Sequence, residues 1–170
     1  LRSRLHLVPF GGIQQQVVLS VPPSLRVVVY RRLMLRIAER LGRAAGSHAL
    51  VTGDAVGQVA SQTIDNLAVV GRVATMPILR PLVGMDKEEI TADAVRIGTY
   101  ETSIVADEDC CTLFTPRFPA TRASSEEVER AELGIDIEGF VERAAGEAVL
   151  EDFGFPVLQS KAFVGKEGPE

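Results

Sequence analysis

Two short apolar runs, HALVTG from His48 to Gly53 and MPILRP from Met76 to Pro81, constrain this chain's fold more than any other feature. Each is too short for a buried helix. One ends on glycine and the other is limited by prolines, so both read as short buried strands. The segments around them carry helical spacing instead. In YRRLMLRIAER, Leu33, Ile37 and Leu41 fall at i, i+4 and i+8 and form one apolar stripe, the core-facing side of a helix. Strands alternating with helices imply an α/β fold, a parallel sheet flanked by helices. Such sheets bind ligands beyond the carboxyl ends of their strands. The loop TGDAVGQVASQ, Thr52 to Gln62, is therefore the first place to look for a site.

The remaining elements follow from local signals. RLHLVPF alternates and predicts a strand over Leu5–Phe10. A short helix is expected over Ile13–Leu19. Pro22-Pro23-Ser24 punctuates the chain before a long helix, Leu25–Arg43, which ends at Gly46. Another helix is expected over Ala55–Leu67. Asp86-Lys87-Glu88-Glu89 has the spacing of a capping box, opening a helix over Lys87–Ile97 that stops at Gly98. Ser124-Ser125-Glu126-Glu127 offers a second box, for a helix to about Leu133, and a last helix is expected over Ile137–Ala148. Residues 1–150 read as one domain and 151–170 as a C-terminal tail.

Composition excludes little: hydrophobic residues are 46% and charged residues 24%, as in ordinary soluble domains. Arg31, Arg32, Arg36 and Arg40 interrupt the longest apolar run, so no membrane span is expected. The opening LRSRLHLVPF lacks the pattern of a signal peptide and has no initiator Met, and reads as if cut from a longer chain. The net charge of −5 divides into +7 over residues 1–47 and −12 over the rest. A basic segment in an acidic protein fits an anionic partner such as a nucleotide or RNA backbone, or simply a solvated helix face.

Three segments carry chemistry. Gly53 has no Cβ, so a ligand can approach its backbone, and the helix expected next would offer free N–H groups. Asp54 would occupy some of those donors as an N-cap. Gly57, Ala60 and Ser61 could equally be a small-residue packing face, and Gln62 either a surface residue or a donor to a nucleobase. Arg31 falls off the row of Arg32, Arg36, Arg40 and Arg43 and is free to point toward the ligand edge, where its planar fork suits phosphate. Both cysteines, Cys110 and Cys111, are adjacent within DEDCCTLFTPRFPATR. A structural bond between neighbours is strained. Too few thiols are present for a zinc site, and reduced cytoplasmic thiols are the default. A thiol that accepts and passes sulfur must be accessible, and its neighbour can attack it to release product. Nearby acids raise a thiol pKa, however, and both residues could be incidental.

ALVTGDAVGQVASQTIDNL, ILRPLVGMDKEEI, EDCCTLFTPRFPATR and LRVVVYRRLMLRIAERLG together resemble the tRNA 4-thiouridine synthetases, or tRNA sulfurtransferases of the thiamine-biosynthesis type, in order from about Leu5 to Ala145. The resemblance implies a PP-loop pyrophosphatase domain of the adenine nucleotide α-hydrolase type, present here as a partial domain. It implies ATP with Mg2+, adenylation of a uridine C4 oxygen in tRNA, and transfer of a persulfide sulfur to that carbon. The implied partners are tRNA, a cysteine desulfurase and the small sulfur-carrier protein of thiazole synthesis. By position it assigns nucleotide contacts to Arg31, Gly53 and Gln62, an activity-linked lysine to Lys87, and the sulfur-carrying cysteine to Cys110, or to Cys111 on a shift of one. The family's SGGxDS phosphate loop would lie upstream of Leu1, and its RNA-capturing domains and rhodanese cysteine have no counterpart in this sequence. Two other readings stay open: a sulfur-relay scaffold for thiamine synthesis without tRNA activity, and an inactive fragment forming a homodimer through an exposed sheet edge.

Overall fold

The structure, a computed structural model, describes residues 2–106, 114, 116 and 118–154. Its centre is a helix, Arg26–Ala44, preceded by a 3-10 turn at Pro23–Leu25 and by the helix Gly11–Ser20. We label the helices α1 (Gly11–Ser20) and α2 (Arg26–Ala44). The predicted stripe is the buried one: Leu33 is fully buried and Ile37 buried, with Leu41 packed against the same core. Val28 and Val29 on α2, Val17 on α1, Val70 and Val128 complete the fully buried apolar set. Burying a side chain of this kind stabilises by roughly 1.5–3 kcal/mol, so α2 owes its place to packing more than to intrinsic propensity.

The strands are short. β1 (Arg2–Leu7) pairs antiparallel with β4 (Val149–Gly154) in a two-stranded ribbon, with Leu7 opposite Val149 and Arg2 opposite Gly154. β2 (Leu50–Val51) and β3 (Ile78–Leu79) pair in parallel, Leu50 with Ile78 and Val51 with Leu79. Two expectations shift here. The strand predicted over Leu5–Phe10 lies earlier, at Arg2–Leu7, and pairs with β4 instead of joining the parallel sheet, while Val8 and Phe10 pack against the core. The segment around residue 150 was read as the start of a featureless tail, yet Val149–Gly154 supplies that partner strand. Strand pairing across about 150 positions leaves no trace in local periodicity.

Among the described residues the further helices are α3 (Ile64–Gly71), α4 (Lys87–Ile97), α5 (Tyr100–Ser103), α6 (Ser125–Glu132) and α7 (Ile137–Gly146). Both predicted capping boxes form: Asp86 with Glu89, and Ser124 with Glu127, each accepting the backbone N–H and returning the reciprocal bond. Gly98 ends α4 at φ 78°, in the left-handed region that suits glycine. The helix expected over Ala55–Leu67 starts nine residues later, at Ile64. Asp54 does not cap it, because its carboxylate is taken by arginines. Gly57 adopts φ +80° and a 3-10 turn forms at Ala60–Gln62 before Thr63 accepts the Asn66 N–H and caps α3.

The first half of the arginine row on α2, Arg32 and Arg36, is turned inward, while Arg40 and Arg43 stay exposed. Arg32, 3% exposed, donates to both carboxylate oxygens of Glu132 at 2.8 and 2.9 Å, and Arg36 donates to the same pair at 2.9 Å. Arg32 also donates to the Val69 carbonyl, 2.9 Å. One carboxylate from α6 thus bridges two guanidinia from α2, offsetting one of their two charges, and ties three helices together. Burial pushes the Glu132 carboxyl up, but the Arg36 and Arg32 bonds outweigh it and hold its pKa below the ordinary range. Among the described residues no helix is long and apolar enough to cross a membrane.

Candidate functional site

The carboxyl ends of the two parallel strands converge on one carboxylate. β2 runs into Thr52-Gly53-Asp54 and β3 into Arg80. Asp54 is 5% exposed and accepts from Arg31 on α2, from Arg80 Nε at 3.2 Å and from the Thr52 hydroxyl at 2.7 Å. Arg31 Nη1 also donates to the Ser61 carbonyl at 2.8 Å. The guanidinium is therefore gripped from two sides, by a strand end and by the 3-10 turn. Arg31 sits where the sequence left it free to point, off the row that serves Glu132.

Burial works against ionised Asp54, but the Thr52 hydroxyl bond, Arg31 and Arg80 outweigh it, so its pKa lies below the ordinary aspartate range. At neutral pH the cluster holds two cations and one anion, a net positive charge. Arg80 Nη2 is buried with no partner among the described residues, pressed against Gly71, where an added Cβ would come within 3.2 Å. That glycine leaves room for the Arg80 side chain to reach Asp54.

Gly53 is exposed, and an added Cβ there meets nothing within 4 Å, so its backbone is open to an incoming group. Gln62 is half-buried at the end of the 3-10 turn, next to Ser61, and its carbonyl accepts the Gly57 N–H at 3.1 Å. Arg31, Gly53 and Gln62 are thus linked through Asp54 and Ser61 at one end of the sheet. Lys87 is the exposed first residue of α4, a helix with no buried residue of its own. Cys110 and Cys111 lie outside the described residues. The segment that follows them is fastened to this region, with Thr63 Oγ1 donating to the Thr121 carbonyl at 2.7 Å. Sequence reasoning missed Asp54 as the hub, and Arg80 altogether. The signal was a lone charged residue directly after one predicted strand, Asp54, and another near the end of the second, Arg80.

A groove of about 650 Å3 lies elsewhere, between β1, α2 and β2, lined by His6, Phe10, Met34, Leu41 and Val51 among others. None of Arg31, Gly53, Asp54, Gln62 or Arg80 lines it. The cluster of charged side chains at the strand ends is separate from this groove.

A family model described as "Thiamine biosynthesis protein (ThiI)" matches residues 1–137, most of the chain. The chain belongs to the ThiI family. Its similarity to ThiI relatives extends further. It is 52% identical to the probable tRNA sulfurtransferase of Thermus thermophilus over 99% of this chain and 43% of that protein. It is 44% identical to that of Caldanaerobacter subterraneus over 86% of this chain and 38% of that protein. A crystal structure of a 4-thiouridine synthetase–RNA complex with bound ATP superposes with a TM-score of 0.86 at 40% identity, over 91% of this chain and 40% of that one. The chain therefore spans about two-fifths of the ThiI relatives it matches, and its fold is part of a PP-loop, adenine nucleotide α-hydrolase-type domain.

Proposed function

We propose that this chain forms the nucleotide-gripping part of an ATP-dependent tRNA sulfurtransferase that makes 4-thiouridine in the cytoplasm. One observation carries the reading: Arg31, held by Asp54 and Ser61 beside the open Gly53 backbone, stands at the carboxyl ends of parallel strands in a chain 40% identical to a synthetase solved with ATP and RNA. Parallel sheets place ligands at that edge. Arg31 would pair with phosphate oxygens of ATP with its Mg2+, Gly53 would allow close approach of the nucleoside, and Gln62 would hydrogen-bond the base.

In this reading the uridine C4 oxygen attacks the α-phosphorus, and the bond to the β-phosphate bridge breaks to release pyrophosphate. Lys87 offsets charge on the departing phosphates. A carbonyl oxygen is a poor leaving group, whereas AMP is a good one. The terminal sulfur of a cysteine persulfide, charged by a desulfurase, then attacks C4 and AMP leaves with the electron pair of the C4–O bond. Cys110, or Cys111, carries the persulfide. The neighbouring thiol attacks the inner sulfur, freeing thiouridine and leaving a disulfide, which a dithiol reductant must open by thiol–disulfide exchange before the next turnover.

In the complete gene product, Arg31→Ala is expected to raise the KM for ATP about tenfold or more, and the Cys110→Ser/Cys111→Ser double variant to abolish thiouridine formation. Full thiouridine formation by the double variant, or an unchanged ATP KM in Arg31→Ala, would sink the corresponding assignment. Membership of a thiamine-biosynthesis family favours a second role, sulfur donation to thiazole synthesis through a sulfur-carrier protein. A deletion strain that loses 4-thiouridine yet grows without thiamine would restrict the role to tRNA.

A further inference from the structure

Asn66 is 0% exposed, and no step of the reaction above uses it. It lies in the first turn of α3, and its side chain is saturated. Nδ2 donates to the Ala60 carbonyl at 2.9 Å and to the Ala120 carbonyl at 2.8 Å, and Oδ1 accepts the Ala123 N–H at 2.9 Å. Two donors and one acceptor converge on one buried point. Among side chains of this size only an amide supplies that set; aspartate lacks the donors and leucine would leave three backbone groups unpaired.

The two segments that Asn66 joins differ in role. Ala60 begins the 3-10 turn whose next residue, Ser61, gives its carbonyl to Arg31 and whose last is Gln62. Ala120–Ala123 is the chain returning after the paired cysteines, fastened besides by Ala120 N–H to the Ser24 carbonyl at 2.9 Å and by the Thr63 hydroxyl to the Thr121 carbonyl. The turn closes on itself through Gly57 N–H to the Gln62 carbonyl at 3.1 Å and Gln62 N–H to the Val59 carbonyl at 2.9 Å, but residues 56–59 before it are exposed and irregular. Among the described residues, Arg31 and Asn66 are the side chains that tie its carbonyls to other elements. We infer that Asn66 is a positioning residue for the nucleotide site, fixing the Ala60–Gln62 turn so that the Ser61 carbonyl stays on Arg31 and Gln62 stays at the base. This rests on the nucleotide reading of Arg31 and Gln62.

The test is steady-state kinetics on the complete gene product with ATP as the varied substrate, rates normalised to folded enzyme. Asn66→Asp keeps the size and the Ala123 bond but sets a carboxylate against two carbonyls. Its expected effect is a rise of about tenfold in the KM for ATP, with kcat within about twofold, the pattern of lost binding common to ground and transition states. A role confined to stability would lower the yield of folded enzyme and leave KM unchanged, and that result overturns the inference. Should Asn66→Asp fail to fold, Thr63→Val decides. It removes the hydroxyl that accepts the Asn66 N–H and donates to Thr121, loosening the same turn more gently. A KM raised about threefold supports the inference and an unchanged KM overturns it. Arg31→Ala in the same assay separates the two levels. If it leaves KM unchanged, the nucleotide reading itself fails. If it raises KM while the Asn66 variant does not, only the positioning role falls.

Discussion

Glu39 on α2 shows how far local chemistry can move one carboxyl. It accepts from Arg43 at 2.7 Å one turn along and from the Thr75 N–H at 2.8 Å, and it pairs with the Thr75 hydroxyl. Burial raises its pKa, but the bonds from Thr75, Arg43 and the Met76 N–H outweigh that and bring it to about 2. A carboxyl depressed in the folded state stabilises fully above its unfolded pKa, and that contribution is lost as pH falls through the folded one. For Glu39 the window runs from 4.5 down to about 2. Urea unfolding at stepped pH should therefore show stability falling across this window, and Glu39→Gln should remove part of the slope. An unchanged slope would mean that Glu39 is not ionised in the way its partners imply. The Arg43–Glu39 spacing of four was visible in the sequence; Thr75, from a loop 36 residues on, was not.

Elements differ in how much of their stability is local. For α6 the Ser124–Glu127 capping box is reinforced by Val128, fully buried, and by Glu132 against α2. For α4 the Asp86–Glu89 box stands almost alone, because none of its residues is buried. Replacing either cap by alanine removes about 1 kcal/mol of helix stability. In α6 that loss should appear in the global unfolding free energy of Ser124→Ala. In α4, Asp86→Ala should instead raise amide exchange across Lys87–Ile97 while the global midpoint hardly moves. Equal global losses in both variants would contradict this division. Both helix starts were legible in the sequence, since a capping box is settled by residues three apart. The late start of α3 was not legible, because the residue expected to cap it is held by Arg31 and Arg80 from other elements.

At the scale of the whole molecule the division into a basic first third and an acidic remainder resolves inward. Arg32 and Arg36 meet Glu132, Arg40 meets Glu142, Arg31 meets Asp54 and Arg4 meets Asp152, each pair joining the two charge halves. Arg40 and Arg43 keep the exposure of a solvated helix face, whereas Arg32 and Arg36 use their charge to dock the two halves together. The pairs with most weight, at Glu132 and Asp54, are buried or nearly so, where salt screens poorly. Raising salt from low concentration to about 0.5 M should therefore shift the melting temperature by no more than about 3 °C. A drop much larger than that would locate the stabilising charge at exposed pairs such as Arg40–Glu142, whose worth is otherwise about 0.5 kcal/mol.

What the sequence alone determined is whatever physics decides within a few residues: the helical stripe of α2, the two capping boxes, the glycine stop of α4 and the two short strands. The tertiary structure decided which partner each charge would meet, which strand β1 would pair with, and that Asp54 would join Arg31 to Arg80 instead of opening a helix. Periodicity and capping act over one or two turns. A carboxylate's choice among guanidinia brought from 23 to 100 positions away depends on how the helices and strands pack, and no local pattern records it.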